Sequence, residues 1–253
     1  MKENEYLHMF EEEEDHWWYA GMREVIRSLV PPASLPENPR MLDAGCGTGY
    51  SMGWFRVHYD ARITGFDYYP QGLAYCRRRG ERELVQADAA RLPFTKDTFD
   101  MVTSFDVVSH LATDSSRAQA LCEFLRVLKP GGRLLMRVPA YEWLKSSHDE
   151  DVMTYRRYSA RELGAALTRA GFRPLHLTFA NTILFPAAVC WRMLKKAGLA
   201  PAGSDVRAGT RGARWMNNAL LAILKTEAAV LRTGGLRFPF GLSLFAVAGK
   251  PVD

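Results

Sequence analysis

The chain has 253 residues, 47% hydrophobic and 24% charged, which is the composition of one large globular domain or of a domain with an insertion. Its formal net charge of +5 is too small to prove a nucleic-acid partner. The charge is unevenly distributed, because residues 1–20 hold one Lys and seven acidic residues, whereas residues 181–240 hold nine Lys or Arg and two acidic residues. The basic segment near the C-terminal end needs an explanation.

The four cysteines are widely spaced and form no Cys-x-x-Cys pair, which argues against a disulfide framework and against a zinc site. We therefore predict no metal. The first residues lack the apolar segment of a secretory signal. The longest apolar run, Ile183–Trp191, contains Pro186 and is too short to cross a bilayer. These features predict a cytoplasmic protein that is at most peripheral at a membrane.

From residue 40 onward, short apolar runs alternate with helical stretches. The predicted strands are Arg40–Ala44, Arg62–Asp67, Glu83–Asp88, Phe99–Phe105, Gly132–Pro139, Arg173–Ala180 and Leu242–Gly249. The predicted helices are Ser116–Leu128, Ser159–Gly171, Ile183–Ala197 and Trp215–Arg232. Ser159 followed by Glu162 is typical of a helix N-cap. The alternation predicts a doubly wound α/β sheet with ligands at the carboxyl ends of its strands.

The strongest single motif is the glycine-rich sequence MLDAGCGTGY at residues 41–50, where a strand turns into a helix. Glycines at such a turn let a ligand touch the backbone directly. A nicotinamide dinucleotide site has the spacing G-x-G-x-x-G, and here Tyr50 stands where the third glycine of that motif belongs. The spacing therefore argues against a pyrophosphate ligand, although a tight turn without a ligand remains an alternative.

Carboxylates end the first three predicted strands. Asp43 precedes the glycine loop, and Asp67 follows 24 residues later, where a ribose diol binds in folds of this type. Asp88 ends the third strand, where it could accept a hydrogen bond from an adenine amino group. Each residue alone is more often a turn-forming aspartate, but three at consecutive strand ends indicate a nucleoside site.

The order of these motifs resembles that of class I S-adenosylmethionine-dependent methyltransferases. The resemblance rests on LDAGCGTG at 42–49, GFD at 65–67, QADAARLPFTKDTFDMV at 86–102 and LRVLKPGGRLLMRVP at 125–139. It covers residues 40–180 well and extends to the last strand. It implies a seven-stranded, mostly parallel sheet in the order 3-2-1-4-5-7-6, with S-adenosyl-L-methionine as the cofactor.

The resemblance also implies how that cofactor is held. The loop would hold the methionyl part, Asp67 the ribose hydroxyls and Tyr68 the adenine face. Phe105 and Asp106 would face the sulfonium and the acceptor. The implied cofactor-binding residues of the sheet edge are Asp43, Gly45, Cys46, Gly47, Gly49, Asp67, Tyr68, Asp88, Ala89 and Phe105.

The N-terminal segment resembles the His-Trp-Trp-Tyr leader of a bacterial methyltransferase subgroup, here His16–Tyr19 followed by Arg23. Adjacent aromatic residues on a helix are more often packing residues. The functional interpretation is a lid, with Tyr19 or Trp18 against the cofactor and Arg23 near its carboxylate, a task that suits the guanidinium group.

Methyl transfer to a hydroxyl or a protonated amine requires a base. The candidates are His110, His148, Asp149 and Tyr155. The run that begins at His148 resembles the subgroup pattern HD-x3-GH-x-RRY, but Met153 and Thr154 replace its Gly-His pair. We name His148, His110 and Asp149 as catalytic candidates. A histidine bonded to backbone and a solvated acidic turn are the structural alternatives.

Some acceptors are disfavoured by missing motifs. An (Asp/Asn)-Pro-Pro-(Tyr/Phe) motif, typical of adenine amino-methyltransferases, is absent after the fourth strand, where the sequence is SFDVV. A Pro-Cys nucleophile for cytosine is also absent. The missing motifs therefore argue against a nucleic-acid substrate, although RNA modification stays open.

The basic segment is also apolar. Met216, Leu220, Ile223, Leu224 and Leu231 can share one helical face. One interpretation is a helical pair that covers the acceptor pocket. The other is a basic amphipathic surface that meets a membrane or an amphiphilic or anionic substrate. Its charged side would consist of Arg192, Lys195, Lys196, Arg207, Arg211 and Arg214.

We therefore predict an N-terminal helical lid at 1–30, a cofactor-binding domain at 31–180 and 240–253, and a helical substrate cap at 181–239. The predicted activity is transfer of a methyl group from S-adenosylmethionine to an oxygen or nitrogen of a small or amphiphilic molecule. Two alternatives stay open: an enzyme that uses this cofactor for other chemistry, such as cyclisation, and a cofactor-binding or membrane-associated protein without turnover.

Overall fold

The computed structural model describes residues 3–146, 149–150, 152–196, 198–199, 214–233 and 236–252. The strands are β1 (Arg40–Ala44), β2 (Arg62–Asp67), β3 (Leu84–Gln86), β4 (Phe99–Phe105), β5 (Leu128–Pro139), β6 (Arg173–Ala180) and β7 (Ser243–Gly249). The α-helices are α1 (Glu3–Glu12), α2 (Trp17–Leu29), α3 (Tyr50–Tyr59), α4 (Pro70–Arg78), α5 (Asp114–Val127), α6 (Ala160–Arg169), α7 (Phe185–Lys196) and α8 (Arg214–Arg232). Short 3-10 helices span Pro32–Ser34, Val107–His110 and Glu142–Leu144.

The strands form one seven-stranded sheet in the order β3-β2-β1-β4-β5-β7-β6, which confirms the predicted topology. β1 pairs in parallel with β2 on one side and with β4 on the other. β7 runs antiparallel between β5 and β6. The parallel strands therefore end at one common edge, which places the glycine loop beside the residues that follow β4.

The central strands β1 and β4 are buried on both faces, which explains why adjacent apolar residues such as Met41 with Leu42 and Met101 with Val102 replace an alternating pattern. Two strands differ in length from the prediction. β3 is shorter at both ends, and Asp88 instead forms an isolated bridge with Arg91. β5 begins earlier, at Leu128, and the Gly131 amide donates to the carbonyl of Lys250 at 3.1 Å.

Helices cover both faces of the sheet. One face is covered by α5 and α6, through buried residues that include Phe124, Leu163 and Leu167. The capping box predicted at the start of α6 is confirmed: Ser159 N donates to the Glu162 carboxylate at 2.8 Å, and Glu162 N donates to Ser159 Oγ at 3.3 Å. The other face is covered by α2, α3, α4 and α8.

The second helix of the insertion packs beside the N-terminal helix α2. A Cβ on Gly21 would lie 2.3 Å from Leu224 Cδ1, so the glycine permits this close contact. The Ser28 hydroxyl donates to the Ala228 carbonyl at 2.7 Å. The buried Glu227 carboxylate accepts the backbone N–H groups of Asn181 and Ile183, each at 2.7 Å. The C-terminal half of α8 is therefore part of the hydrophobic core.

Candidate cofactor and acceptor site

The glycine loop is a tight turn that joins β1 to α3. Gly45 and Gly49 have φ angles of +68° and +84°, which favour glycine. A Cβ on Gly45 would lie 2.4 Å from Val107 Cγ2, so the loop packs directly on the 3-10 helix after β4. Gly49 caps the N-terminus of α3, whose first amide groups favour negative charge. A ligand with a carboxylate suits this loop.

Asp67, at the end of β2, lies against the loop. Its Oδ2 accepts the Gly47 N–H at 3.0 Å, and its Oδ1 accepts the Tyr69 N–H at 2.9 Å. Burial raises the pKa of this carboxyl, and these hydrogen bonds oppose the rise. The sequence prediction of a ribose-binding carboxylate at this position is compatible with the geometry.

Asp43, at the end of β1, is more deeply buried. Its Oδ1 accepts the Thr103 hydroxyl at 2.7 Å, and its Oδ2 has no hydrogen-bond partner within the described part of the chain. Burial raises the pKa of Asp43 to about 7. A buried carboxylate oxygen of this kind is an acceptor available to a polar or cationic ligand group.

The predicted adenine contacts lie at the neighbouring strand ends. Asp88 Oδ1 accepts the Ala90 N–H at 2.8 Å, so this side chain stabilises its own turn as well as facing solvent. Ala89 is buried, and the Tyr68 ring is 59% exposed. The exposed ring can stack on a nucleobase, and the adjacent carboxylate can accept from its amino group.

These residues fit the implied cofactor. Asp67 suits a diol, Tyr68 suits a planar base, and the unpartnered oxygen of Asp43 lies at the start of a loop in which Gly45, Gly47 and Gly49 leave the backbone open. S-adenosylmethionine presents all three complementary groups: a ribose, an adenine and a polar methionyl chain.

Phe105 and Asp106, which are predicted to face the acceptor, lie at the carboxyl end of β4 beside β5, and we call the carboxyl ends of these two strands the acceptor edge. Arg137 at the end of β5 forms an ion pair with Asp106, and its NH2 group lies 2.5 Å from Oδ2. The guanidinium lies 4.5 Å from the ring centre of Trp18 and 5.4 Å from that of Phe105. Asp106 has a left-handed φ of +64°, which turns the chain into the 3-10 helix. The acceptor edge thus joins β4, β5 and the leader helix α2.

His110 ends that 3-10 helix, and its ring is half-buried. Its Nδ1 lies 3.0 Å from the Met153 carbonyl oxygen. Because a carbonyl only accepts, Nδ1 carries the proton and Nε2 is left as the acceptor. The backbone contact expected of a structural histidine is therefore present, and it fixes the orientation of the ring.

Asp149 forms a buried ion pair with Arg157. Its two oxygens lie 2.8 and 3.0 Å from Nε and NH2 of Arg157, and the Ser146 N–H donates to one of them at 2.8 Å. Arg157 also donates to the Ala140 carbonyl at 3.1 Å, which ties this segment to the end of β5. His148 lies outside the described residues. Tyr155 is exposed, and its N–H donates to the Ser109 carbonyl at 2.8 Å.

The leader residues lie close to the loop. Arg23 donates to the carbonyls of Glu13 and Glu14 at 2.8 and 3.1 Å, and its guanidinium lies 4.6 Å from the ring centre of Tyr50. Tyr19 packs edge-on against Trp18 with a ring distance of 5.0 Å, and burial raises the pKa of its hydroxyl. In this conformation Arg23 stabilises the turn after α1, because its guanidinium binds two backbone carbonyl groups that follow the helix.

Sequence reasoning missed several residues of the site. The Glu13 carboxylate accepts the Thr48 hydroxyl of the loop and lies 3.1 Å from Arg79 NH2. Burial raises the pKa of Glu13 to about 7, although Thr48 and Arg79 oppose that rise. Arg137 was also missed, and its signal in the sequence is a charge inside the apolar run LLMRVP of β5.

The insertion exposes apolar side chains on α7, where Trp191 and Met193 are 38% and 46% exposed. The Lys195 ammonium lies 5.7 Å from the ring centre of Trp191, and Arg192 donates to the Leu144 carbonyl at 3.1 Å. Arg207, Arg211 and the side chain of Lys196 lie outside the described residues. Among the described helices, none is long and apolar enough to cross a membrane. Across the described ranges there is also no cluster of side chains that could hold a metal ion.

Comparison with known proteins matches residues 42–136 to a family described as a methyltransferase domain. A tRNA (carboxymethyluridine(34)-5-O)-methyltransferase of Arabidopsis thaliana is 35% identical over 121 residues, 48% of this chain and 28% of that protein. A "probable S-adenosylmethionine-dependent methyltransferase" of Mycolicibacterium smegmatis is 30% identical over 162 residues, 63% of this chain and 60% of that protein. The chain thus matches less than two thirds of the length of these relatives.

Among solved structures, a chain from the complex of the Haloferax volcanii Trm112 methyltransferase activator with a methyltransferase has the same fold. Its TM-score is 0.61 at 22% identity, with 98% of this chain and 94% of that chain covered. The matched region contains the glycine loop, the end of β2 and the strands of both edges. Residues 42–136 therefore match a methyltransferase domain, and the sheet that contains them has the fold of that Haloferax volcanii chain.

Proposed function

We propose that this chain transfers a methyl group from S-adenosylmethionine to an oxygen or nitrogen of a small or amphiphilic molecule. The observation that carries the proposal is the side-by-side arrangement of two edges. The glycine loop with Asp43 and Asp67 forms the cofactor edge. Asp106, Arg137 and His110 lie at or after the carboxyl ends of the adjacent strands β4 and β5 and belong to the acceptor edge. Such an arrangement brings a nucleoside ligand and an acceptor to neighbouring strand ends, which is the proximity that group transfer requires.

The chemistry supplied by bound S-adenosylmethionine is an electrophilic methyl group on a sulfonium. The chain orients the acceptor and takes its proton. In this proposal His110 is the base, because the Met153 carbonyl fixes Nδ1 as the protonated nitrogen and leaves Nε2 to accept. His148 remains the second candidate base. Asp149 is assigned a positioning role, because both of its oxygens already accept from Arg157.

The surface of α7 supports an amphiphilic acceptor. Its exposed Trp191 and Met193 lie beside Lys195 and Arg192, a combination that suits a molecule with an apolar tail and an anionic head. We also keep the predicted peripheral membrane contact through 181–239, the N-terminal lid at 1–30 and the cytoplasmic location as proposals.

Relatives named as tRNA methyltransferases raise RNA as another acceptor. The Arabidopsis alignment spans 48% of this chain and 28% of that protein, so about half of this chain has no counterpart in it. The name of that relative specifies methylation at an oxygen, which supports oxygen as the acceptor atom. We therefore retain a small-molecule acceptor as the proposal and treat RNA as an outcome of the test.

The test is formation of S-adenosylhomocysteine by the purified protein from S-adenosylmethionine. Separate reactions receive the small-molecule, lipid and RNA fractions of a cell extract, and Asp67→Asn, in which cofactor binding should be weakened, is the control. We expect turnover with the small-molecule or lipid fraction and a product heavier by one methyl group. Turnover with RNA alone would assign an RNA acceptor. A new product formed without S-adenosylhomocysteine and without an added methyl group would indicate other chemistry such as cyclisation, and neither product nor S-adenosylhomocysteine with any fraction would favour a non-catalytic binder.

Membrane contact has its own test. Vesicles with anionic lipid should co-sediment the protein at low salt, and neutral vesicles should not. Trp191→Ala should weaken the association, whereas the exposed Val57→Ala on α3 serves as the matched control. Absence of binding to anionic vesicles at low salt would remove the membrane proposal and leave the acceptor proposal intact.

A further inference from the structure

The helix α1 carries one stripe of side chains that faces the cofactor edge. Tyr6, Met9, Phe10 and Glu13 recur at the spacing i, i+3, i+4 and i+7, which places them on one side of the helix and of the turn that follows. Tyr6 is only 4% exposed, whereas its neighbour Leu7 faces solvent. This side of α1 therefore packs against the rest of the protein.

Tyr6 contacts the carboxylate to which the proposed function assigns the ribose. Its hydroxyl donates to Asp67 Oδ1 at 3.3 Å in a buried environment. Its ring is also close to α4, since a Cβ on Gly72 would lie 2.9 Å from Tyr6 Cε1. With the amides of Gly47 and Tyr69, the Tyr6 hydroxyl completes a set of protein donors around Asp67. A diol must replace at least the tyrosine to bind there.

Met9 packs on the glycine loop at Gly47, which has no side chain. A Cβ on Gly47 would be 2.9 Å from Met9 Cε, so the methionine methyl group occupies the space that the glycine leaves open. One turn further on, the Glu13 carboxylate accepts the hydroxyl of Thr48. The stripe thus follows the same course along Asp67 and the loop that the ribose and methionyl chain of the cofactor would take.

Two arginine side chains also hold α1 and the turn that follows it. Arg79 donates to the Phe10 carbonyl at 2.8 Å, and its guanidinium lies 4.3 Å from the Phe10 ring centre. Arg23 binds the carbonyls of Glu13 and Glu14. A ten-residue helix is marginal on its own in water, so α1 depends on this docking to stay folded. A ligand that takes over Asp67 and Gly47 removes much of that support.

We propose that α1 is an internal occupant of the cofactor site: Tyr6 holds the place of the ribose on Asp67, Met9 covers Gly47, and S-adenosylmethionine binds by displacing α1. The inference rests on the proposed function, since it requires a cofactor at Asp67. A closing lid would strengthen cofactor binding, whereas the docked helix α1 weakens it. The leader helix α2, with Trp18 and Tyr19, stays in place.

The first test is calorimetric titration of the full-length chain with S-adenosylhomocysteine. Tyr6→Phe deletes the hydroxyl that competes for Asp67 and should tighten binding about 3- to 10-fold. Tyr75→Phe is the matched control: its ring contacts Phe10 at 5.0 Å, and no hydrogen bond of its hydroxyl occurs among the described residues. It should bind within about twofold of the wild type. Unchanged or weaker binding by Tyr6→Phe would overturn the inference.

The second test is hydrogen exchange of residues 3–12 with and without S-adenosylhomocysteine. Displacement predicts faster exchange in the complex, whereas a helix that closes over the ligand predicts slower exchange. Slower or unchanged exchange overturns the inference even if the ligand binds well. If neither the wild type nor Tyr6→Phe binds the ligand, the proposed function fails and the inference fails with it. Binding that is insensitive to Tyr6 removes the inference alone.

Discussion

The cofactor edge and the acceptor edge adjoin on one sheet, yet they are assembled in different ways. The cofactor edge consists of one continuous loop after β1 and single residues at the ends of β2 and β3. The acceptor edge joins Asp106, Arg137 and Trp18 with the segment around Asp149, and these residues are far apart in the chain. The cofactor edge is thus built around a local sequence motif, whereas the acceptor edge depends on tertiary packing.

The two edges also differ in electrostatics. On the cofactor edge, burial raises the pKa values of Asp43 and Asp67, and Asp67 is held mainly by backbone amides. On the acceptor edge, Asp106 and Asp149 are paired with arginines. Variants of the cofactor edge should therefore change ligand affinity and pH dependence, whereas variants of the acceptor edge should change turnover or stability.

The largest effect is expected at His110. His110→Asn should lower turnover by about 10²- to 10⁴-fold, because the acceptor loses its base. Affinity for S-adenosylhomocysteine should stay within about twofold, since His110 belongs to the other edge. Steady-state kinetics and calorimetry measure the two quantities. His148→Asn is made in parallel, and full turnover in both variants would exclude a histidine base.

Breaking the ion pair of Asp149 should mainly affect stability. Asp149→Asn leaves the buried Arg157 without its counter-charge, so the free energy of unfolding should fall by about 3–5 kcal/mol in urea titrations. Asp114→Asn is the control, because Asp114 also pairs with arginines but is exposed, and no measurable change is expected. Native stability together with lost turnover in Asp149→Asn would instead identify Asp149 as a catalytic residue.

Much of the cofactor edge could be predicted from sequence because its determinants are local. Glycines at a strand-to-helix turn and acids at strand ends leave a readable spacing, and the bounds of β1, β2, β4 and β6 match the prediction. The site roles of these residues remain predictions that binding experiments must test.

The other features could not be predicted because their partners are distant in sequence. The contact of Arg137 with Trp18 depends on where α2 crosses the sheet, and α8 packs beside α2 through the close approach of Gly21 and Leu224. Tyr6, Met9 and Phe10 have the spacing of one helical face, but no local sequence feature indicates that this face docks on Asp67.

The buried acid of the cofactor edge predicts a pH dependence of stability. Burial raises the pKa of Asp43 to about 7 in the folded chain, whereas in the unfolded chain the carboxyl has its ordinary pKa near 3.8. The folded state therefore binds more protons between these values, and stability falls as pH rises through that window, by up to about 1.4 kcal/mol per pH unit. Asp43→Asn should flatten the decline in urea titrations at several pH values. An unchanged slope would exclude this origin.

The smallest effect is expected at Asp88, which already stabilises its own turn through Ala90. Asp88→Asn keeps the turn acceptor and should weaken S-adenosylhomocysteine binding only about 2- to 10-fold. A loss as large as that expected for Asp67 would mean that adenine recognition, and not the ribose contact, dominates affinity.

Calorimetric titration of S-adenosylmethionine into the wild-type chain and into Asp67→Asn is the most direct test of a cofactor at this edge. The wild type should bind one equivalent, and Asp67→Asn should bind about 10- to 100-fold more weakly, because a charged acceptor of the ribose hydroxyls becomes a neutral amide. Equal affinity of the two proteins, or no binding by the wild type, would contradict the placement of the cofactor on the glycine loop and Asp67.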